Sequence, residues 1–325
     1  MLSESLFEEI LIDPVKSGSN QLFIVSGYAT ATMAVKHIFK AKQINNNVKV
    51  DLVVGMTSND GLSLSNHIGF KKLVETDLQG AFRCSYVYQG FPVHAKVYCW
   101  LKDGSPVSGF IGSANYTQSG FGEKRREAMS TIDPAVSLRY FKEIEKDTIY
   151  CNHDDVENRI KIYSDKGFYG KKKESDRIVG DVSVPAFDSQ GLEFKTLSFL
   201  DNKGDLPQIS GLNWAHRKEK YKRELNQAYI RLTAEIYRSD FFPERGIHFT
   251  IQTDDGKILI ATRAQQSGKA IHTPANNSLM GEYFRNRLGL PSGALVSKKD
   301  LESYGRTDVT FYKIEDETYL MDFSV

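Results

Sequence analysis

Between Gln21 and Tyr150, short apolar runs alternate with segments of helical period, and this alternation limits the fold more than any other feature of the chain. "QLFIVSGYA" reads as a buried strand, and "ATMAVKHIFKA" follows it at helical period. "VKVDLVVGM" is a second buried strand, "SNHIGFKKLVETDL" a helix and "FRCSYVY" a third strand. Next come "HAKVYCWL" and "PVSGFIGS", two strands joined by "KDGS", whose Asp-Gly step is a hairpin signal. "AVSLRYFKEIEKDTIY" closes the unit as a helix. The expected fold is an α/β layered domain, a mixed sheet flanked by helices.

Past Asn152 the character changes. "YSDKGFYGKKKESDRIVGD" is charged and glycine-containing, as linkers are. The pattern then becomes strand-rich: "GLEFKTLSFL", "AYIRLTAEIY", "IHFTIQTDDGKILIATRA" and "TDVTFYKIEDETYLMDFS", with one short helix, "SLMGEYFRNRLGL". A chain of 325 residues has room for two domains. The expected division is an α/β domain over 1–165, a linker over 166–190, and a mainly β domain of barrel type over 191–325.

Composition narrows the function classes. Hydrophobic and charged fractions of 40% and 26% are those of a globular protein that lives in water. No apolar run is long enough to cross a bilayer, and the acidic "MLSESLFEEILIDP" is wrong for a signal or transit peptide, so a cytoplasmic location is expected. Cys84, Cys99 and Cys151 make an odd count without metal-ligand spacing, which fits reduced thiols. A formal net charge of +1 means that any affinity for nucleic acid must come from local patches.

The chemistry concentrates in "HAKVYCWLKDGSPVSGFIGSANYTQSGFGEKRREA". On a strand, residues two apart share a face, so His94 and Lys96 project together. "GSAN" is a glycine-led turn that brings the Ser113 hydroxyl, the Asn115 amide and backbone N–H groups near a strand end, a setting for an anion. Histidine can attack phosphorus, lysine and asparagine can stabilise charge on the phosphoryl oxygens, and a carboxylate such as Glu127 can orient the histidine. No carboxylate cluster of metal-ligand type accompanies the motif, so neither a catalytic metal nor a cofactor is expected. A lone His-x-Lys carries little weight. His216 and Lys218 form another in "WAHRKEKYKR", with no apolar strand around it and no Gly-Ser-x-Asn after it, and read as a solvated basic stretch.

His94, Lys96, Gly112, Ser113, Asn115 and Glu127 match the active-site motif of the phospholipase D superfamily in type and order, and the chain resembles that superfamily. The family aspartate position, which follows the lysine after four intervening residues, is Leu101 here; Asp103 sits in the expected turn instead. This departure is shared by a nuclease branch resembling the BfiI and NgoFVII-type restriction endonucleases. The resemblance implies a two-fold site in which one histidine attacks to form a covalent phosphohistidine and another protonates the leaving oxygen, without a metal. One chain offers one set, so the resemblance implies a homodimer.

The second half narrows the substrate. "NWAHRKEKYKRELNQAYIR" clusters Arg217, Lys218, Lys220, Lys222, Arg223 and Arg231, with Trp214, Tyr221 and Tyr229 interleaved, and fits phosphate contacts. "RAQQSGKAIHTPANNS" is polar and poor in acid. The expected DNA-binding residues are Asn213, Trp214, Arg217, Lys218, Lys220, Lys222, Arg263, Gln265, Gln266, Lys269, His272, Thr273 and Asn276. Taken singly, each stretch is more readily a solvated loop. The segment from "DFFPERGIHF" to "ETYLM" resembles the recognition domain of NgoFVII-type endonucleases, itself similar to the pseudobarrel of plant B-three transcription factors and the EcoRII effector domain. Those folds grip the major groove with two loop arms, and the two polar stretches fall at the arm positions.

The expectation is a type II-like restriction endonuclease acting on double-stranded DNA. The resemblance also implies a cognate DNA methyltransferase and allows a separate helicase-like ATPase subunit, since the chain has no Walker A motif of its own. Two other readings stay open. A lipid phosphodiesterase predicts a membrane-anchoring helix and two motif copies, and neither is visible. A sequence-specific DNA-binding protein with an inactive nuclease domain is opposed by the intact His94, Lys96 and Asn115.

Overall fold

The computed structural model describes residues 1–122, 125–164, 191–217, 223–265 and 268–325. It divides into two compact units, Met1–Ser164 and Asp165–Val325. The expected linker over 166–190 lies outside the described residues.

The first unit is built on strands β1 (Gln21–Ser26), β2 (Lys49–Val54), β3 (Phe82–Val87), β4 (Lys96–Lys102), β5 (Ser105–Gly112), β6 (Met129–Ile132) and β7 (Thr148–Tyr150). They form one seven-stranded sheet in the order β6-β5-β4-β1-β2-β3-β7. β1, β2 and β3 run parallel to one another, and the remaining pairings are antiparallel, so the sheet is mixed as expected. Helix α1 (Ala31–Ile44) starts where the Thr30 side chain accepts from the Met33 amide, and α3 (Pro134–Glu145) where Asp133 caps Ala135; α2 (Leu64–Lys72) lies between them in sequence.

The central strands are apolar almost throughout because both their faces are covered. On one face Phe23, Val25, Val53, Val97 and Cys99 pack with Phe141 of α3. On the other, the Trp100 indole N–H donates to the Ile10 carbonyl at 2.7 Å, tying β4 to the N-terminal helical segment. The Asp-Gly step is a hairpin turn with Asp103 at φ 49° and Gly104 at φ 84°, the left-handed pair that suits a two-residue loop. Asp103 is thereby a turn residue, accepting from the Asn20 amide at 2.9 Å.

Two local expectations are corrected. "HAKVYCWL" is extended only from Lys96, leaving His94 in the loop before β4. The end of "AVSLRYFKEIEKDTIY" leaves the helix to become β7, pairing with β3 through Tyr150↔Ser85.

The second unit contains β8 (Phe194–Ser198), β9 (Ile230–Arg231), β10 (His248–Thr253), β11 (Ile258–Ala264), β12 (Ala270–His272), β13 (Asp308–Glu315) and β14 (Thr318–Asp322). Their order is β8-β13-β14-β10-β11-β12-β9, and the two end strands approach each other, so the sheet nearly closes into a barrel. β10 and β14 are parallel; the other pairs are antiparallel. Phe241, Phe242, Phe249, Phe311 and Tyr319 fill the interior. "AYIRLTAEIY" departs from the strand expectation: β9 is two residues long and Ala234–Arg238 is helical (α4). Leu232 and Ile236, both buried and four apart, mark the change of period. Helices α5 (Ser278–Arg287) and α6 (Lys298–Tyr304) complete the unit. No described helix is long and apolar enough to cross a membrane.

Candidate active site

Lys96 is the first residue of β4 and pairs with Ser26, the last residue of β1. This register decides where the chemistry gathers, because it puts the His94 loop beside the carboxyl ends of the parallel strands, where α/β sheets place their ligands. The loop is held by the Val93 amide donating to the Gly55 carbonyl at 2.9 Å. A Cβ on Gly55 would stand 2.0 Å from the Val93 oxygen, so the approach needs glycine.

Asn115 arrives from the other side. The Tyr116 amide donates to the Ser26 hydroxyl at 2.8 Å, and that hydroxyl donates to the Tyr28 carbonyl at 2.7 Å. The Tyr28 amide in turn donates to Asn115 Oδ1 at 3.1 Å. With Oδ1 fixed as the acceptor, the Asn115 NH2 is the end that remains to donate to a ligand.

Lys96 is buried, with its Nζ 2.6 Å from the His94 carbonyl oxygen and 3.1 Å from each His94 ring nitrogen. Burial pushes its pKa below the ordinary lysine value, and the negative charge of Glu127 works against that shift. His94 itself is exposed. The site therefore offers an accessible imidazole, a desolvated cation beside it and an oriented amide, which together suit a phosphoryl group.

Glu127 does something other than expected. Its carboxylate accepts the Ser113 hydroxyl, and Ser113 Oγ accepts the Ala128 amide at 3.0 Å. Among the described residues it makes no bond to His94; its influence reaches Lys96 through charge. Gly112 allows the tight β5–β6 approach behind this pair, since a Cβ there would meet the Ala128 oxygen at 2.1 Å. The residue that meets the His94 ring is Tyr28, edge-on at 5.9 Å between centroids. Sequence reasoning missed Tyr28 and Ser26. The available signal was position: "SGYA" lies just past the carboxyl end of the first parallel strand.

In the second unit the two polar stretches meet through strand pairing. β9 pairs with β12, so Arg231 lies opposite Ala270, and the Leu232 amide donates to the Lys269 carbonyl at 2.8 Å. Arg217, Gln265, Lys269 and Asn276 are exposed, and the Lys269 ammonium lies 5.3 Å from the centre of the Tyr237 ring. Trp214 is half-buried under the Arg223 guanidinium, 4.3 Å from the ring centre. Other expected contacts turn inward. Asn213 is fully buried, bonding the Val296 amide and carbonyl and the Pro207 carbonyl. Thr273 is buried and donates to the Asn276 carbonyl. Arg263 donates to the carbonyls of Gly268, Pro243 and Tyr237. Burial holds the half-exposed His272 below the usual histidine range, against a bond to Asn277. Lys218, Lys220, Lys222 and Gln266 lie outside the described residues. His216 of the second His-x-Lys is half-buried in a short 3-10 turn, so it is less solvated than the sequence suggests.

Residues 4–158 match the family model of the NgoFVII restriction endonuclease N-terminal PLD domain, and residues 188–315 that of the NgoFVII C-terminal B3-like DNA-binding domain. No curated protein matches the chain. Among solved structures, the chain is similar to a polyphosphate kinase from Porphyromonas gingivalis (15% identity, 46% of this chain and 23% of that one, TM-score 0.30). It is also similar to NucT from Helicobacter pylori (16% identity, 44% and 90%, TM-score 0.32) and to Nuc, a phospholipase D family member from Salmonella typhimurium (18% identity, 44% and 89%, TM-score 0.33). The chain spans less than a quarter of the polyphosphate kinase.

Proposed function

Because the chain belongs to the NgoFVII restriction endonuclease family, pairing a phospholipase D-like nuclease domain with a B3-like DNA-binding domain, we propose that it cleaves double-stranded DNA through a phosphohistidine formed on His94. The observation that carries this reading is the cluster itself: an exposed imidazole flanked by the buried Lys96 ammonium and the oriented Asn115 amide.

In the first step a His94 ring nitrogen bonds to phosphorus while the bond from phosphorus to the leaving oxygen breaks, and a second histidine gives that oxygen its proton. In the second step the same histidine takes a proton from water, whose oxygen displaces the His94 nitrogen. Lys96 and Asn115 bear the charge on the non-bridging oxygens, a task that fixed donors in a desolvated site perform without reorganising. That donor set supports cleavage without a metal ion or cofactor. Ser113 and Glu127 hold the turn carrying Asn115 against β6. The second histidine is assigned to a second copy of the chain, giving a homodimer with one shared site.

Recognition is assigned to the stretches around Arg217 and Lys269, together with Trp214, Gln265 and Asn276. Lys218, Lys220, Lys222 and Gln266 extend the same two stretches in sequence. The buried Asn213 and Thr273, and the inward-bonded Arg263, are left out as base readers. The reading carries with it a cytoplasmic location and a cognate methyltransferase, and leaves a place for a helicase-like ATPase partner. The test is a plasmid assay with purified protein in excess EDTA. Wild type is expected to cut, and His94→Ala to bind the same duplex without cutting. Equal loss of binding and cleavage in His94→Ala would move His94 out of the chemistry.

A further inference from the structure

We propose that Tyr28, braced by Asp60, is a positioning residue that fixes the His94 ring and the Asn115 amide together. The inference rests on the assignment of His94 as nucleophile.

Tyr28 touches both partners by different means. Its amide donates to Asn115 Oδ1 at 3.1 Å, and its ring meets the His94 imidazole edge-on, 5.9 Å between centroids with 79° between planes. His94 precedes β4 and is exposed, so no strand pairing limits its ring. Among the described residues its ring nitrogens bond only Lys96. Gly27 backs it closely, since a Cβ there would stand 3.2 Å from the ring atom Cδ2 and 3.4 Å from the His94 Cα. Tyr28 adds an aromatic flank to a ring whose nitrogens face Lys96 and whose Cδ2 edge faces Gly27.

Tyr28 needs support of its own, being 42% exposed. Its hydroxyl donates to Asp60 Oδ2 at 2.5 Å, and Asp60 sits at the end of the short helix Thr57–Asp60 that follows β2. That bond holds the phenol pKa above its ordinary value, followed by desolvation and the Asp60 charge. Asp60 is exposed and, among the described residues, its one other side-chain bond is with the neighbouring Asn59, so its replacement endangers little else. The chain of support runs from β2 through Asp60 to Tyr28 and on to His94. An imidazole free to swing loses the attack geometry, for which about 1 Å of misplacement can cost roughly a hundredfold in rate.

The experiment compares Tyr28→Ala, Tyr28→Phe, Asp60→Ala and the Tyr28→Phe/Asp60→Ala double variant in the full chain, with His94→Ala as control. Single-turnover cleavage at saturating protein is read beside the reaction amplitude and the Kd for the same duplex. Tyr28→Ala is expected to lower the rate roughly tenfold or more at full amplitude and unchanged Kd. Tyr28→Phe keeps the ring and loses the brace, so it should fall less and match Asp60→Ala. The double variant should be no slower than either single one, because both remove one bond. Additive effects of Asp60 and Tyr28, or an unchanged rate in Tyr28→Ala, overturn the proposal. So does a weakened Kd at constant rate, which would make Tyr28 a DNA contact. If Tyr28→Ala loses amplitude through misfolding, the Phe and Asp60 variants still decide. Cleavage by His94→Ala would instead remove the nucleophile assignment beneath it.

Discussion

Lys96 Nζ lies 2.6 Å from the carbonyl oxygen of His94 and 3.1 Å from each of its ring nitrogens, and the lysine is buried. A cation held this way serves the phosphoryl oxygens only while protonated. Burial lowers its pKa, so the alkaline limb of the cleavage profile should begin below the ordinary lysine value of 10.5. The Glu127 charge opposes the lowering. Glu127→Gln should therefore move the limb to still lower pH. A pH–rate profile under single turnover checks both statements, and a limb that moves upward in Glu127→Gln would sink the assignment.

A second pH effect should appear in stability. His37 is completely buried, with Nε2–H donating to the Leu11 carbonyl at 3.2 Å and Nδ1 accepting from the Tyr116 hydroxyl at 2.7 Å. Desolvation lowers its pKa from 6.5 to about 4, partly offset by the Leu11 bond. The unfolded chain then takes up a proton that the folded one refuses. Stability present above pH 6.5 is lost as pH falls towards about 4, by about 3 kcal/mol in all. Urea unfolding at pH 7 and pH 5 should show this loss. Trp100, whose ring lies edge-on to His37 at 6.2 Å, can report it in a Trp214→Phe background. His37→Gln should be less stable at neutral pH but flatter with pH; an unchanged slope would place the acid sensitivity elsewhere.

Asn213 and Lys269 stood together among the expected DNA contacts, and they should now separate. Asn213→Ala strands the Val296 amide and the carbonyls of Val296 and Pro207 inside the domain. The cost is about 1–3 kcal/mol for each group left unpaired, seen as a lower melting temperature with an unchanged salt slope of DNA binding. Lys269→Ala should leave melting nearly unchanged and flatten the salt slope by about one unit if the ammonium meets a phosphate. Relaxed specificity in a fully stable Asn213→Ala protein would contradict its structural role.

How far the sequence could be read follows from how local each signal is. The apolar strands, the Asp103-Gly104 turn and the "GSAN" turn are written in neighbouring residues. Tyr28 escaped because its meeting with His94 depends on the pairing of Ser26 with Lys96, a register that periodicity does not encode. Asn213 looked like a groove-facing amide because it opens a basic stretch, yet its partner Val296 lies 83 residues away. "AYIRLTAEIY" favoured a strand by composition, and burial of Leu232 and Ile236, four apart, in one core goes with a helix in its second half. Glu127 was read as a partner of the histidine, and the β5–β6 approach brings its carboxylate to the Ser113 hydroxyl.

The last expectation concerns the number of chains at the site. The motif supplies one set: His94, Lys96 and Asn115. The other His-x-Lys, at His216, sits in a 3-10 turn of the second unit, away from any "GSAN" turn in sequence. A mechanism that needs one histidine to attack and another to protonate must take the second from another copy. The fragment 1–164 corresponds to a compact unit with its own sheet, and light scattering should find it dimeric. Mixing wild-type chains with an excess of His94→Ala chains should depress activity below simple dilution, because each heterodimer keeps a single histidine. With subunit exchange verified by a labelled chain, activity that fell only in proportion to dilution would mean that each chain owns a complete site. The protonating group would then have to be sought beside His94 within one chain, and Tyr28, whose ring already meets that imidazole, would be the first residue to examine.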